Sequence, residues 1–140
     1  MGFFTDLLNS DNHFLRIIAI NLLANLASVD NDIKFEELFD RYFGNIKSDR
    51  TMVAGKATLN SGKIAKEIPK FRDKITNILL NIDKIHKGKQ IELMKGYAIE
   101  AFDEYFKEVK DKKEILSFVK EQLNSNSTKT KRITREFIDK

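Results

Sequence analysis

The chain has no cysteine and no tryptophan, and only one proline and two histidines among its 140 residues. Without cysteine there is no disulfide framework and no thiolate metal site, and the composition suits a reducing compartment such as the cytoplasm. A single proline, Pro69, and the lack of any Asn-Gly or Asp-Gly pair remove the usual hairpin signals. Sheet is therefore not expected. Two imidazoles far apart in the chain do not suggest a histidine metal site. Both are expected at the surface, His13 at a helix start after Asp11-Asn12 and His86 within the charged stretch DKIHKGKQ. No indole is present to stack on nucleobases, and the eleven Phe and three Tyr fall chiefly on apolar stripes, where they read as core.

Long hydrophobic runs are also missing. The most apolar stretch, Phe14 to Val29, carries Arg16, Asn21 and Asn25 and is shorter than the roughly 20 residues of a membrane span. The start, MGFFTDLL, has no basic n-region, and Asp6 stands where a myristoylation signal has Ser or Thr. Neither export, N-terminal lipidation nor membrane insertion is expected. At this length the chain reads as one domain, residues 1–140, which buries roughly 70% of its unfolded surface.

What the chain does have is helical periodicity. Apolar residues recur three or four apart in successive blocks: Leu15, Ile18, Leu22, Leu26; Leu38, Phe39, Tyr42, Phe43, Ile46; Phe71, Ile75, Ile78, Leu79, Ile82; Leu93, Tyr97, Ala101, Tyr105; and Ile115, Leu116, Val119, Leu123. Caps and breakers divide the blocks. Asp11-Asn12, Asp30-Asn31-Asp32 and Lys47-Ser48-Asp49 open or separate helices, and Pro69 suits a first turn. The reading is all-α, with eight helices near 3–9, 12–28, 33–46, 50–66, 69–83, 89–109, 111–123 and 128–139.

These helices align on one another. A shift of 38 residues puts Asp11 on Asp49, Leu15 on Val53, Ala19 on Ala57 and Leu26 on Ile64, and a further shift of 41 puts Met94 on Val53 and Ala98 on Ala57. That period belongs to two-helix repeats. The segment from Asp11 to Ala19, with Arg16 and then Leu22, Leu23 and Leu26, resembles the first helix of a HEAT repeat, whose pattern runs D-P-x-V-R-x-x-A into a Leu-rich turn. Asn12 stands for the Pro, and Ala54 for the Arg in the second unit. The resemblance implies a right-handed α-α superhelix, a short solenoid of antiparallel helix pairs, with about three repeats and a half repeat at each end.

One short stretch, ATLNSGKI at 57–64, comes close to the phosphate-binding pattern G-x-x-x-x-G-K-[ST]. Ala57 replaces the first glycine, and Ile64 gives magnesium no oxygen. Within the repeat register the stretch lies inside a helix, where Ala54, Ala57 or Thr58, Ser61 and Ala65 make a small-residue stripe for close packing. Gly55 and Gly62 cost that helix roughly 1 kcal/mol each against alanine, so by propensity it is the weakest long helix. Nucleotide hydrolysis is not expected. Carboxylates at Glu36, Glu37 and Asp40, and at Glu100, Asp103 and Glu104, read as solvated helix faces, and no nucleophile stands with a His and an acid.

Charge is unevenly spread. Residues 1–46 hold three basic and seven acidic side chains, residues 47–95 twelve and five, and residues 96–140 ten and nine. Two basic groups, Lys63, Lys66, Lys70 and Lys74, and Lys131, Arg132 and Arg135, would hold phosphates if a groove joined them. HEAT-like scaffolds generally act as adaptors, and some are DNA alkylation-repair glycosylases, which look to a groove with Trp that this chain lacks. The expected function is a non-enzymatic protein-protein interaction module or scaffold without cofactor or metal. Nucleic-acid binding through the basic groups is the alternative.

Overall fold

The computed structural model describes residues 2–27 and 35–140, and every regular element among them is helical. The described helices are α1 (Gly2–Leu8), α2 (His13–Leu26), α3 (Phe35–Gly44), α4 (Thr51–Glu67), α5 (Arg72–Leu80), α6 (Ile82–Ile85), α7 (Ile91–Tyr105), α8 (Lys113–Glu121) and α9 (Thr128–Ile138). Single 3-10 turns follow α3, α7 and α8 and precede α5. The predicted break at Asp30-Asn31-Asp32, the end of the second predicted helix and the start of the third lie outside the described residues.

Local chemistry accounts for the boundaries. Asn12 caps α2 by accepting a hydrogen bond from the Phe14 N–H at 2.9 Å, and Ser127 caps α9 by accepting from Thr130 at 3.2 Å. Pro69 begins the 3-10 turn that leads into α5. At the other end of α4, Arg72 donates to the carbonyls of Ala65 and Lys66 at 3.0 and 3.1 Å, satisfying acceptors the helix leaves open. The predicted helix at 69–83 is divided. Asn81 leaves helical geometry (φ −107°, ψ 24°), and its side-chain amide donates to the Asn77 carbonyl at 2.8 Å, giving the backbone an alternative to the helix ladder.

Four long helices, α2, α4, α7 and α9, pack side by side in that order, and α5 and α8 pack behind them. Neighbours in the row run the same way, because their contacts advance together: Asn60 donates to Asn21 at 2.8 Å and Lys63 to Asn25 at 3.3 Å, Gly62 lies against Ala101, and Thr130 donates to the Glu92 carbonyl at 2.7 Å. Successive helices thus meet at sequence separations near the shifts of 38 and 41.

Small residues set the closeness of the row. Ala54, Ala57, Thr58, Ser61 and Ala65 of α4 are all fully buried, as the small-residue stripe predicts. A Cβ on Gly62 would stand 2.4 Å from the Ala101 carbonyl oxygen and 2.8 Å from its Cα, so backbone meets backbone there. The stretch ATLNSGKI is therefore the packed interior of α4, not a phosphate loop. One apolar core extends from Leu8 to Phe137, with a cluster of rings where Phe39 of α3 lies 5.1 Å from Phe71 and 4.4 Å from Phe43.

Three expectations of burial or exposure are overturned. In the stripe Ile115, Leu116, Val119, Leu123, the residues Leu116 and Leu123 are exposed while the other two are buried. His86 is buried rather than at the surface. Its Nδ1 lies 2.7 Å from the Ile46 carbonyl, which accepts its N–H and ties the turn after α6 to the turn after α3. Its Nε2 is buried without a hydrogen-bond partner among the described residues and abuts Gly88, where a Cβ would come within 2.5 Å. The stripe Leu15, Ile18, Leu22, Leu26 is not the core face of α2: Ala19, Ile20, Leu23 and Ala24 are buried, and the first three of the predicted residues are exposed. Nearly every side of α2 is apolar, so periodicity alone could not choose among them. Neighbouring helices seat on the side that carries the two alanines.

Candidate interaction surface

The buried side of α2 leaves its larger side chains facing outward. Phe14 is 59% exposed, Ile18 48%, Leu22 40% and Leu15 37%. Spaced at 14, 18 and 22 with Leu15 beside them, they make a continuous apolar stripe along the helix. Single exposed apolar residues are ordinary, whereas a contiguous stripe is a candidate contact surface. Arg16 is the only charged residue on α2, and it lies on the opposite, inward side. The adjacent outer face of α4 carries Met52, 59% exposed, then Lys56 and Lys63.

The seven basic residues singled out by sequence are not gathered into one groove. Lys63 reaches toward α2 and hydrogen-bonds Asn25, whereas Lys66 borders a cleft of about 350 Å³ with Glu100, Asp103, Glu104, Lys107 and Glu108. Lys70 and Lys74 turn to α3 instead: Lys70 pairs with Glu36, and Lys74 sits 4.4 Å above the Phe39 ring. The Lys70 partnership holds the Glu36 carboxyl below its usual range, through the hydrogen bond first and the charge second. Lys131, Arg132 and Arg135 lie on α9, with Arg132 paired to Glu136 at 3.4 Å. Between α4 and α9 stands α7, which presents Glu100, Asp103 and Glu104, and Asp103 pairs with Lys140.

Other polar clusters serve the fold. Glu92 accepts from Lys95 at 3.0 Å and from Ser125 at 2.8 Å, joining the start of α7 to the turn before α9. Those donors, Lys95 foremost, hold its carboxyl below the usual range against the opposing effect of burial. Tyr105 and Thr76 share a 2.7 Å hydrogen bond between α7 and α5, and burial pushes the Tyr105 hydroxyl up to about 12. A cleft of about 550 Å³ beside them is lined by Arg72, Asp73, Lys110, Asp111 and Glu114 among others, a mixture of charges, and its Arg72 is engaged by α4. Among the described residues no group of three or more His, Asp or Glu side chains is arranged to hold a metal ion. None of the described helices is long and apolar enough to cross a membrane.

Comparison with protein-family models, with curated proteins and with solved structures finds no match to this chain. The α2 stripe is what sequence reasoning missed, having assigned those residues to the core. One signal could have found it: Ala19 aligns with Ala57 and Ala98, and a row of stacked alanines marks the side on which helices approach.

Proposed function

We propose that this chain is a non-enzymatic protein-interaction module, a short HEAT-like solenoid that engages a protein partner through the outer face of α2. The exposed stripe Phe14, Leu15, Ile18, Leu22 carries this reading, because a soluble surface that keeps four large apolar side chains in line on one helix gains by covering them. The parallel row α2, α4, α7, α9, with its contacts near the repeat period, supports the solenoid. Nucleic-acid binding has less support, since the carboxylates of Glu100, Asp103 and Glu104 stand between the two basic groups and Lys70 is paired with Glu36.

The test is a capture experiment from source-cell extract, comparing the native chain with Ile18→Glu and with Leu22→Ser after nuclease treatment. Both substitutions are at exposed positions and should shift stability by no more than about 0.5 kcal/mol. The expected outcome is a set of proteins retained by the native chain and lost by both variants at equal melting temperature. Retention of the same set by all three, or its disappearance on nuclease treatment alone, rejects the reading.

A further inference from the structure

The row of parallel helices has two ends, and they differ. Residues Val53 and Asn60 lie on the side of α4 turned to α2, where Asn60 is hydrogen-bonded to Asn21. Met94 and Ala101 hold the corresponding places on α7, with Ala101 against Gly62 of α4. All four are buried. On α2 the same places, by the shift of 38, belong to Leu15 and Leu22, and these are exposed. Positions that elsewhere in the row are buried beneath the preceding long helix are therefore 37% and 40% exposed on α2, which is preceded only by the short α1 packed against it. At the far end, α9 turns Lys131, Arg132 and Arg135 away from its buried residues Thr130, Ile133, Thr134 and Phe137, as a polar cap does.

Charge narrows what can cover α2. The flanking lysines of α4, Lys56 and Lys63, make no ion pair among the described residues. Lys63 stands next to the stripe through Asn25, and Lys56 lies one turn before Asn60, level with Ile17 and Ile18. No carboxylate is present on α2 to answer them. A second copy stacked by its α9 would press a face of mixed charge, Arg132, Arg135 and Glu136, onto leucines, and one stacked by its α2 would bring no acid from that helix.

We infer that the occupant is an amphipathic helix of a different chain, laid along α2, with apolar residues three and four apart on Leu15, Ile18 and Leu22 and a row of Asp or Glu facing Lys56 and Lys63. This deepens the interaction reading and rests on it. Apolar anchors at helical spacing hold the helix, and the lysines select its charge and set its direction.

Two synthetic helical peptides test it, identical in their leucine face and differing only in edge residues, glutamate in one and lysine in the other. Vesicles rich in phosphatidylserine and the unliganded chain's own sedimentation are measured alongside. The glutamate-edged peptide should bind the intact chain saturably, about tenfold or more tighter than the lysine-edged one, with amide shifts concentrated on α2. A Leu15→Ser/Leu22→Ser variant of native melting temperature should lose about tenfold, and Lys56→Glu/Lys63→Glu should reverse the preference between peptides. Equal binding of the two peptides, a preference for vesicles, or self-association abolished by the leucine variant overturns the inference. If α2 substitutions abolish capture of a native partner while neither peptide binds, the inference fails and the interaction reading stands. If the substitutions change neither measurement, both fail.

Discussion

Replacing Gly62 by alanine sets two effects of opposite sign against each other. As a mid-helix glycine it costs α4 about 1 kcal/mol relative to alanine, so helix propensity alone favours the substitution. Packing opposes it. The new Cβ would lie 2.4 Å from the Ala101 carbonyl oxygen and 2.8 Å from its Cα, and ordinary contact requires α4 and α7 to part by roughly 1 Å. Little slack exists for this, because α7 is held on its other side by α9 through Gly96, where a Cβ would stand 2.5 Å from Thr130 Oγ1. Overpacking of this kind costs about 1–3 kcal/mol, and the obstacle here is backbone, which cannot rotate away; we take about 3. The net is a loss of about 2 kcal/mol, which for a chain of this length lowers the melting temperature by about 7 °C. Gly44→Ala is the control. At the end of α3 that residue has helical backbone angles (φ −59°, ψ −25°) and open space around its Cα, so alanine should stabilise by about 0.4–1 kcal/mol. Thermal and guanidinium denaturation followed by circular dichroism read both. A Gly62→Ala protein that melts at or above the native temperature refutes the close approach of α4 and α7.

Ala19→Phe, at a fully buried position of α2, should cost about 1–3 kcal/mol in denaturant titration, and an unchanged midpoint would mean that this side of α2 is not its packed side. Alkaline stability reports on the buried tyrosines. Burial raises Tyr42 and Tyr105 above the value near 10 of an unfolded tyrosine, Tyr105 to about 12, so the folded state holds its phenolic protons longer. Stability should be level below about pH 10 and fall as pH rises toward 12, with a shallower fall in Tyr105→Phe; a level profile up to pH 12 contradicts this. Substituting His86 by alanine leaves the Ile46 carbonyl without its donor and should cost about 1–3 kcal/mol. Amide exchange in the turn at 45–48 should then rise more than elsewhere, and uniform acceleration would argue against the tie.

Much of the helical layout is legible along the chain because its causes are local. Asn12 and Ser127 cap, Pro69 starts a turn, and the stretches after His86, around Lys110 and at Asn124 to Ser127 break where their residues suggest. The small-residue stripe of α4, and the shifts of 38 and 41 that contacts between neighbouring long helices approximate, are also written in one dimension. What depends on having a neighbour is not. Leu15 and Leu22 stay exposed because no long helix packs on that side of α2, whereas Val53 and Asn60 of α4 and Met94 and Ala101 of α7 are buried in a row where a long helix stands before each. His86 turns inward among charged residues because a carbonyl forty positions away, at Ile46, accepts its proton. The four central lysines, close in sequence, part company because α4 lies in the row and α5 behind it, so Lys63 meets α2 while Lys70 and Lys74 meet α3. Periodicity tells which residues share a side of a helix; only packing tells which side is met, and a chain whose most apolar helix is apolar nearly all round leaves that choice to its neighbours.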